Sequence, residues 1–137
     1  MNPPSVDIKD MLLSESGIDL TYATNLFIGK EPASPDNVVT IFDAYASTPQ
    51  LTMEGNLLLP YERHSLQIRV RNRDYQLGYN LINEIFLLLH GRAHETWNGA
   101  IYEVITSSAP MHFDWDDNKR ARFIINLNLQ RKDSGGS

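Results

Sequence analysis

Apolar and polar residues alternate most cleanly between Arg63 and Arg73, where Leu66, Ile68 and Val70 fall on one side and Gln67, Arg69 and Arg71 on the other. That is the period of a strand with one buried face. Asp74 then caps a predicted helix running to about Leu89, with Leu77, Leu81, Ile82, Ile85, Phe86, Leu88 and Leu89 as a wide apolar face and His90-Gly91 as its stop. Near the N-terminus Pro3 and Pro4 lead into a shorter helix. Ser5 is its expected cap, Ile8, Met11 and Leu12 its apolar stripe, and Gly17 its end.

Strands account for most of the rest. Leu20, Tyr22 and Leu26-Phe27-Ile28 predict one, and β-branched and aromatic Val38 to Phe42 a second. The turn-rich run from Glu31 to Asn37 lies between them. Asn98-Gly99 marks a turn before a strand from Ala100 to Thr106, in which Ile101, Glu103 and Ile105 oppose Tyr102 and Val104. Met111, Phe113 and Trp115 alternate with His112, Asp114 and Asp116. A turn at Asp116 to Lys119 follows, and a long strand from Ala121 to Gln130 closes a C-terminal hairpin. Residues 46–60 hold two prolines and a glycine without a clear period and read as a long connection, inside which sits the apolar triplet Leu57-Leu58-Leu59.

Because consecutive strands flank one core helix instead of alternating with helices, the pattern predicts an α+β fold. Its expected form is a mainly antiparallel, curved sheet packed against a long central helix and a short N-terminal helix. Residues 1–130 form a single domain in this reading, and the polar residues 131–137 a flexible C-terminal tail.

Composition narrows the functional classes. The 137 residues carry 12 Lys+Arg against 17 Asp+Glu, a net charge of −5, which argues against coating nucleic acid through a basic surface. With no cysteine, the chain offers no disulfide scaffold, no thiolate zinc site and no thiol nucleophile. No apolar run reaches the roughly 18 residues of a membrane span, and Met1-Asn2-Pro3-Pro4 does not open like a signal peptide, so synthesis and use in the cytoplasm, with no membrane partner, are expected.

Three features invite chemistry. His90 and His94 stand four apart, as zinc ligands on a helix do, but a glycine lies between them and neither a glutamate base nor a third ligand is indicated. Helix-end histidines on the surface are the simpler reading. His112, Asp114 and Asp116 would suit a metal-dependent hydrolase or nuclease, although turns collect aspartates for their local backbone bonds. Arg63, Arg69, Arg71 and Arg73 form a basic stripe. Pairing with a neighbouring strand's carboxylates, such as Glu103 or Asp43, competes with contact to an acidic neighbouring subunit and, for the smallest share, with nucleic acid. Leu57, Leu58 and Leu59 either fold back on the core or begin the following strand early, and if exposed they would dock another chain. No phosphate loop, nucleophile elbow or dinucleotide fingerprint is present, and no cofactor is expected.

The segment Pro35-Asp36-Asn37-Val38-Val39-Thr40-Ile41-Phe42-Asp43 resembles the "PDN-hydrophobic-tyrosine/phenylalanine-aspartate" run of the phage minor capsid proteins grouped with tail terminators. At that family's spacing follow Tyr61 to Arg71, similar to its strand with a Q-x-x-x-R core, and Tyr75 to Leu89 in the place of its central helix. Phe113 to Asn118 and Phe123 to Leu127 resemble its closing hairpin. The likeness runs in order from about Ser5 to Gln130; one departure is Ala44-Tyr45-Ala46, where the family often has a glycine soon after the aspartate.

The resemblance implies a non-enzymatic virion assembly protein. Its members form a ring of like subunits, commonly a hexamer, on the head-proximal end of the tail tube. There they stop polymerisation and present the surface that joins the head. The implied partners are other copies of the chain, the tail tube protein and a head-closure or connector protein, with viral DNA only in transit. The implied place is the head-tail junction of the virion, after assembly in the bacterial cytoplasm. Arg63, Arg69, Arg71, Arg73 and Leu57, Leu58 and Leu59 are the candidate subunit or tail-tube contacts. A head-closure or adaptor neck protein is the nearest alternative, and a metal-dependent hydrolase or a small ligand-binding module the more distant ones.

Overall fold

The computed structural model describes residues 2–15, 17–46, 50–54 and 57–133, with the backbone alone for residues 45–46, 50–54 and 57–60. Its elements are α1 (Pro4–Leu13), β1 (Leu26–Ile28), β2 (Val38–Ala46), β3 (Gln50–Glu54), β4 (Leu57–Asn72), α2 (Tyr75–Leu89), β5 (Glu95–Trp97), β6 (Ala100–Ser107), β7 (Met111–Trp115) and β8 (Ala121–Asp133). Among the described residues the strands make one eight-stranded, curled sheet in the order β1-β2-β4-β8-β6-β5, with β3 added to β4 and β7 to β8. The fold is α+β. All strand pairs are antiparallel except β1 with β2, so the sheet is mixed.

Two long strands carry the sheet. β4 and β8 pair from Tyr61↔Lys132 to Asn72↔Ala121, and their inward residues Leu66, Ile68, Val70, Phe123, Ile125 and Leu127 are buried in one cluster. Both helices cover that face: Ile8, Met11 and Leu12 come from α1, and Ile82, Ile85 and Leu89 from α2. Each such side chain contributes about 1.5–3 kcal/mol on leaving water, so these six hold both helices to the sheet.

The second helix begins where expected, with the Asp74 carboxylate accepting the amide of Leu77 at 2.9 Å. It is a 15-residue helix of ordinary length, not a long one, and its buried line is Gly78, Ile82, Ile85 and Leu89. Leu77, expected on the apolar face, is 58 % exposed because that line starts one position later. The first helix lacks the expected serine cap. Ser5 lies inside it and is buried, giving its amide and hydroxyl to Asp43 at 3.2 and 2.6 Å, and Ser14, not Gly17, caps its end. In the first strand Tyr22 makes only an isolated bridge, and the ladder starts at Leu26.

The largest correction concerns residues 46–60, read as a long connection. β2 runs on to Ala46, and β3 then pairs with the start of β4 from Gln50↔Tyr61 to Glu54↔Leu57. Pro60 did not prevent this because it lies where, among the described residues, β4 is paired with β3 and not yet with β8, whose ladder begins at Tyr61; Pro49 and Gly55 lie outside the described residues. At the other terminus β8 continues through Asp133, past the expected strand end at Gln130, and Arg131 and Lys132 are buried. Residues 134–137 lie outside the described residues.

Asn98 and Gly99, at φ 51° and 81°, join β5 to β6 in the conformation that tight hairpins prefer. A bulge between Tyr102 and Val104 breaks the alternation expected for this strand. It puts Tyr102 and Ile105 both in the core and leaves Val104 outside.

Candidate assembly surface

The parallel pair β1 and β2 requires the chain between them to cross over the sheet. Residues 29–37 make that crossing on the face opposite the helices, and Arg69, Arg71 and Arg73 of the basic stripe hold it there. Arg71 is almost wholly buried. It donates from Nη1 to Glu31 at 3.0 Å, from Nη2 to the Pro35 carbonyl at 2.6 Å and from Nε to the Asp36 carbonyl at 3.1 Å. Arg120, in the turn before β8, reaches the Ala33 carbonyl at 2.7 Å, and Arg73 the Asp36 carboxylate at 2.5 Å. Arg69 bonds Glu31 at 3.4 Å while its guanidinium lies 5.0 Å from the rings of both Phe42 and Phe113. Arg122 also approaches Glu31, at 3.5 Å. One carboxylate on the crossing thus meets three guanidinium groups. The Asp36 carboxyl is held below its ordinary range, first by the hydrogen bond from Arg73 and then by Arg120.

Arg69, Arg71 and Arg73 do not make the strand-to-strand pairing expected with Asp43 or Glu103. Asp43 is taken by Ser5, and Glu103 lies 3.5 Å from Lys132 and 3.4 Å from His94. The partners come from a loop, which strand alternation cannot reveal. Arg63 stands apart from the other stripe residues, exposed at the far end of β4, with Nε 3.4 Å from Gln130. Beside it Ser65 bonds Asn128 at 2.7 Å and Gln67 approaches Asn126 at 3.4 Å, so this end of the open face is a polar ladder. A groove of about 310 Å³ runs along it, lined by Arg63, Ser65, Val104, Thr106, Asn128 and Gln130 among others.

The acidic turn is occupied by ion pairs. Asp114 grips Arg122 through both oxygens, at 2.5 and 2.6 Å. That bond, ahead of the opposing effect of burial, raises the Arg122 pKa. Asp116 accepts the amides of Asn118 and Arg120 at 3.0 and 2.9 Å and the Arg120 Nε at 2.7 Å. Burial pushes its carboxyl pKa up, but these bonds outweigh it and the net shift is downward. His112 packs among rings instead of facing either aspartate: it lies 5.4 Å from Tyr75, 5.6 Å from Trp115 and 5.4 Å from Phe123. Of the spaced histidines, His90 accepts the Ser107 amide at 3.0 Å and stacks on Phe86, while His94 is exposed beside Glu103. Among the described residues no three metal-binding side chains gather, and no helix is long and apolar enough to cross a membrane.

Two surface elements remain. The first is the hairpin that contains Leu57, Leu58 and Leu59. Among the described residues β3 pairs only with residues 57–61 of β4, and β8 first joins β4 at Tyr61, so this strand pair projects beyond the body of the sheet as a two-stranded arm. The second was not singled out from the sequence. Tyr75 and Tyr79 at the start of α2, with His112 and Trp115 of β7, surround the buried Phe123: Tyr75 lies 5.9 Å from Trp115 and 4.9 Å from Phe123, and Tyr79 6.0 Å from Phe123. Tyr75, Tyr79 and Trp115 are 47, 41 and 52 % exposed. A strand with aromatic residues at an edge was visible in the sequence; its meeting with the first turn of α2 was not.

The sequence profile of a family described as "Bacteriophage tail terminator protein" matches residues 7–133. A comparison with curated proteins finds no match. The matched span runs from the first helix to the end of β8 and includes the arm, the crossing and the aromatic patch.

Proposed function

The chain belongs to the bacteriophage tail terminator family and is a structural protein of phage tail assembly; from that premise we propose that it caps the head-proximal end of the tail tube as a ring of like subunits. In this role it stops tube polymerisation and offers the head connector its joining surface, with DNA passing through the ring. The observation that favours this reading is the projecting arm, in which, among the described residues, β3 and the first four residues of β4 pair with each other and with no third strand. An isolated two-stranded hairpin is marginal in water, so such an arm gains its support from another chain.

Leu57, Leu58, Leu59 and Arg63 are the proposed subunit or tube contacts. Arg69, Arg71 and Arg73 serve that surface indirectly, through the crossing they hold by their bonds to Glu31 and Asp36. The hydrolase reading fares worse, since Asp114 and Asp116 are committed to different arginines and His112 to a ring cluster.

Electron microscopy of lysates from a phage with this gene interrupted tests the role. Overlong tails beside tail-less, DNA-filled heads are expected. Tails of normal length that fail to join heads would move the protein to a head-closure or adaptor position in the neck, and intact particles would overturn an assembly role.

A further inference from the structure

The arm and the aromatic patch lie at opposite ends of the same strands. Leu57 to Pro60 precede the first pair between β4 and β8, whereas Tyr75 follows the last, Asn72↔Ala121. Between Leu59 and Val70, the partner of Phe123, the strand covers roughly 35 Å at ~3.3 Å per residue. An arm cannot reach the patch of its own subunit.

Their chemistry matches. Residues 50–60, from Gln50 to Pro60, contain a single charged residue, Glu54, and include Leu51, Met53 and three consecutive leucines. Successive strand positions belong to opposite faces, so apolar positions fall on both sides of the ribbon. At the patch, Tyr75, Tyr79 and Trp115 form an exposed apolar surface beside β7, which is paired with β8 along one edge. Neither element has the charge to select a strongly charged partner, and each subunit carries one of each. Two different, complementary surfaces at opposite ends of one subunit make a head-to-tail contact, which closes a ring when the rotation fits.

We propose that the arm of one subunit seats on the Tyr75, Tyr79 and Trp115 patch of the next copy of this chain. The inference rests on the ring reading above and names the surfaces that would join its subunits.

The absence of cysteine makes the test clean. Tyr79→Cys is combined with Leu57→Cys in one variant and with Leu58→Cys in another, since neighbouring strand positions face opposite ways. After mild oxidation, at least one pair should give a denaturant-resistant ladder extending beyond the dimer, while each single-cysteine variant stops at the dimer. In a Trp97→Phe background Trp115 is the sole tryptophan, and its emission should move to shorter wavelength as the protein assembles. Replacing Leu57, Leu58 and Leu59 by Ser should abolish that shift.

Oligomers that sediment normally yet give no ladder and leave Trp115 emission unchanged would overturn the inference while sparing the ring reading. Cross-links found only to the tube protein would overturn the choice of a second copy as occupant. A chain that remains monomeric both alone and on purified tail tubes would overturn the ring reading and the inference together.

Discussion

The hydroxyl of Tyr102 donates to the carboxylate of Asp7, 95 residues away in sequence, and both residues are completely buried. Asn98 donates to the same carboxylate at 2.6 Å. Arg131 lies 3.5 Å from Asp7 and 3.3 Å from the Tyr102 oxygen, and also bonds Glu62 at 3.0 Å and the Asn2 carbonyl at 2.6 Å. Burial first, and then the neighbouring Asp7, raise the Tyr102 pKa, which keeps the phenol a neutral donor. This network ties α1 to β6 and to the end of β8.

Removing Asp7 takes the acceptor from the buried Tyr102 hydroxyl and from Asn98 and leaves Arg131 with Glu62 as its one carboxylate partner among the described residues. Asp7→Ala is therefore expected to cost about 3–5 kcal/mol of folding stability, whereas Tyr102→Phe, which deletes one donor and keeps the ring, should cost about 1–2 kcal/mol. Urea unfolding followed by circular dichroism separates the two. Equal losses would show that the Tyr102–Asp7 hydrogen bond, and not the Arg131 charge, carries the network.

The arginine face yields a contrast between two charge reversals. Arg71→Glu places a carboxylate against Glu31 and two backbone carbonyls in a buried site, and should cost more than about 3 kcal/mol. Arg63→Glu changes an exposed charge and should move stability by less than about 1 kcal/mol. Thermal melts of the two variants check this. A stable, fully folded Arg71→Glu protein would mean that the crossing between β1 and β2 holds without its clamp.

Gly78→Ala is expected to destabilise, against the usual gain of about 1 kcal/mol for replacing a helical glycine. A Cβ there would lie 2.8 Å from Cε2 of Phe123 and 3.1 Å from Cβ of Asn72. Phe123 is confined by Tyr75 and Tyr79 and cannot easily withdraw, so overpacking should prevail for a net loss of about 1–2 kcal/mol. A raised melting temperature would show that the ring gives way.

Acid should weaken the fold through three carboxylates whose pKa values fall below the ordinary range: Asp36, Glu62 and Asp116. For Glu62 burial acts upward but is outweighed by the bonds from His64 and Arg131. A carboxyl with a lower pKa when folded contributes fully above its unfolded value, here about 4.5 for Glu and 3.8 for Asp, and loses that contribution as pH drops through the folded value. Stability should thus be insensitive to these groups near neutrality and fall below about pH 4. In a pH series of melts, Asp116→Asn should flatten that decline. An unchanged slope would remove Asp116 from it.

Local pattern was sufficient for the elements whose partners are their own neighbours or an obligatory core. The Asp74 cap, the span of α2, the Asn98-Gly99 turn, the alternation of Leu66, Ile68 and Val70 and the C-terminal hairpin all follow from periods and turn chemistry, because a helix satisfies its backbone within itself and a half-buried strand must alternate. The order of short motifs also sufficed to point to the family. Tertiary structure decided what depends on non-local partners. It paired residues 50–54 with residues 57–61 as an arm, because β4 supplied a pairing edge that no local signal announces. It gave Arg69 and Arg71 to Glu31 on a crossing loop, because the parallel pairing of β1 with β2 sends that loop over the sheet. It also brought Tyr75 and Trp115 together across the start of α2 and the edge of β7. Periodicity specifies which face a residue occupies; what that face meets is set by the path of the chain between elements far apart in sequence.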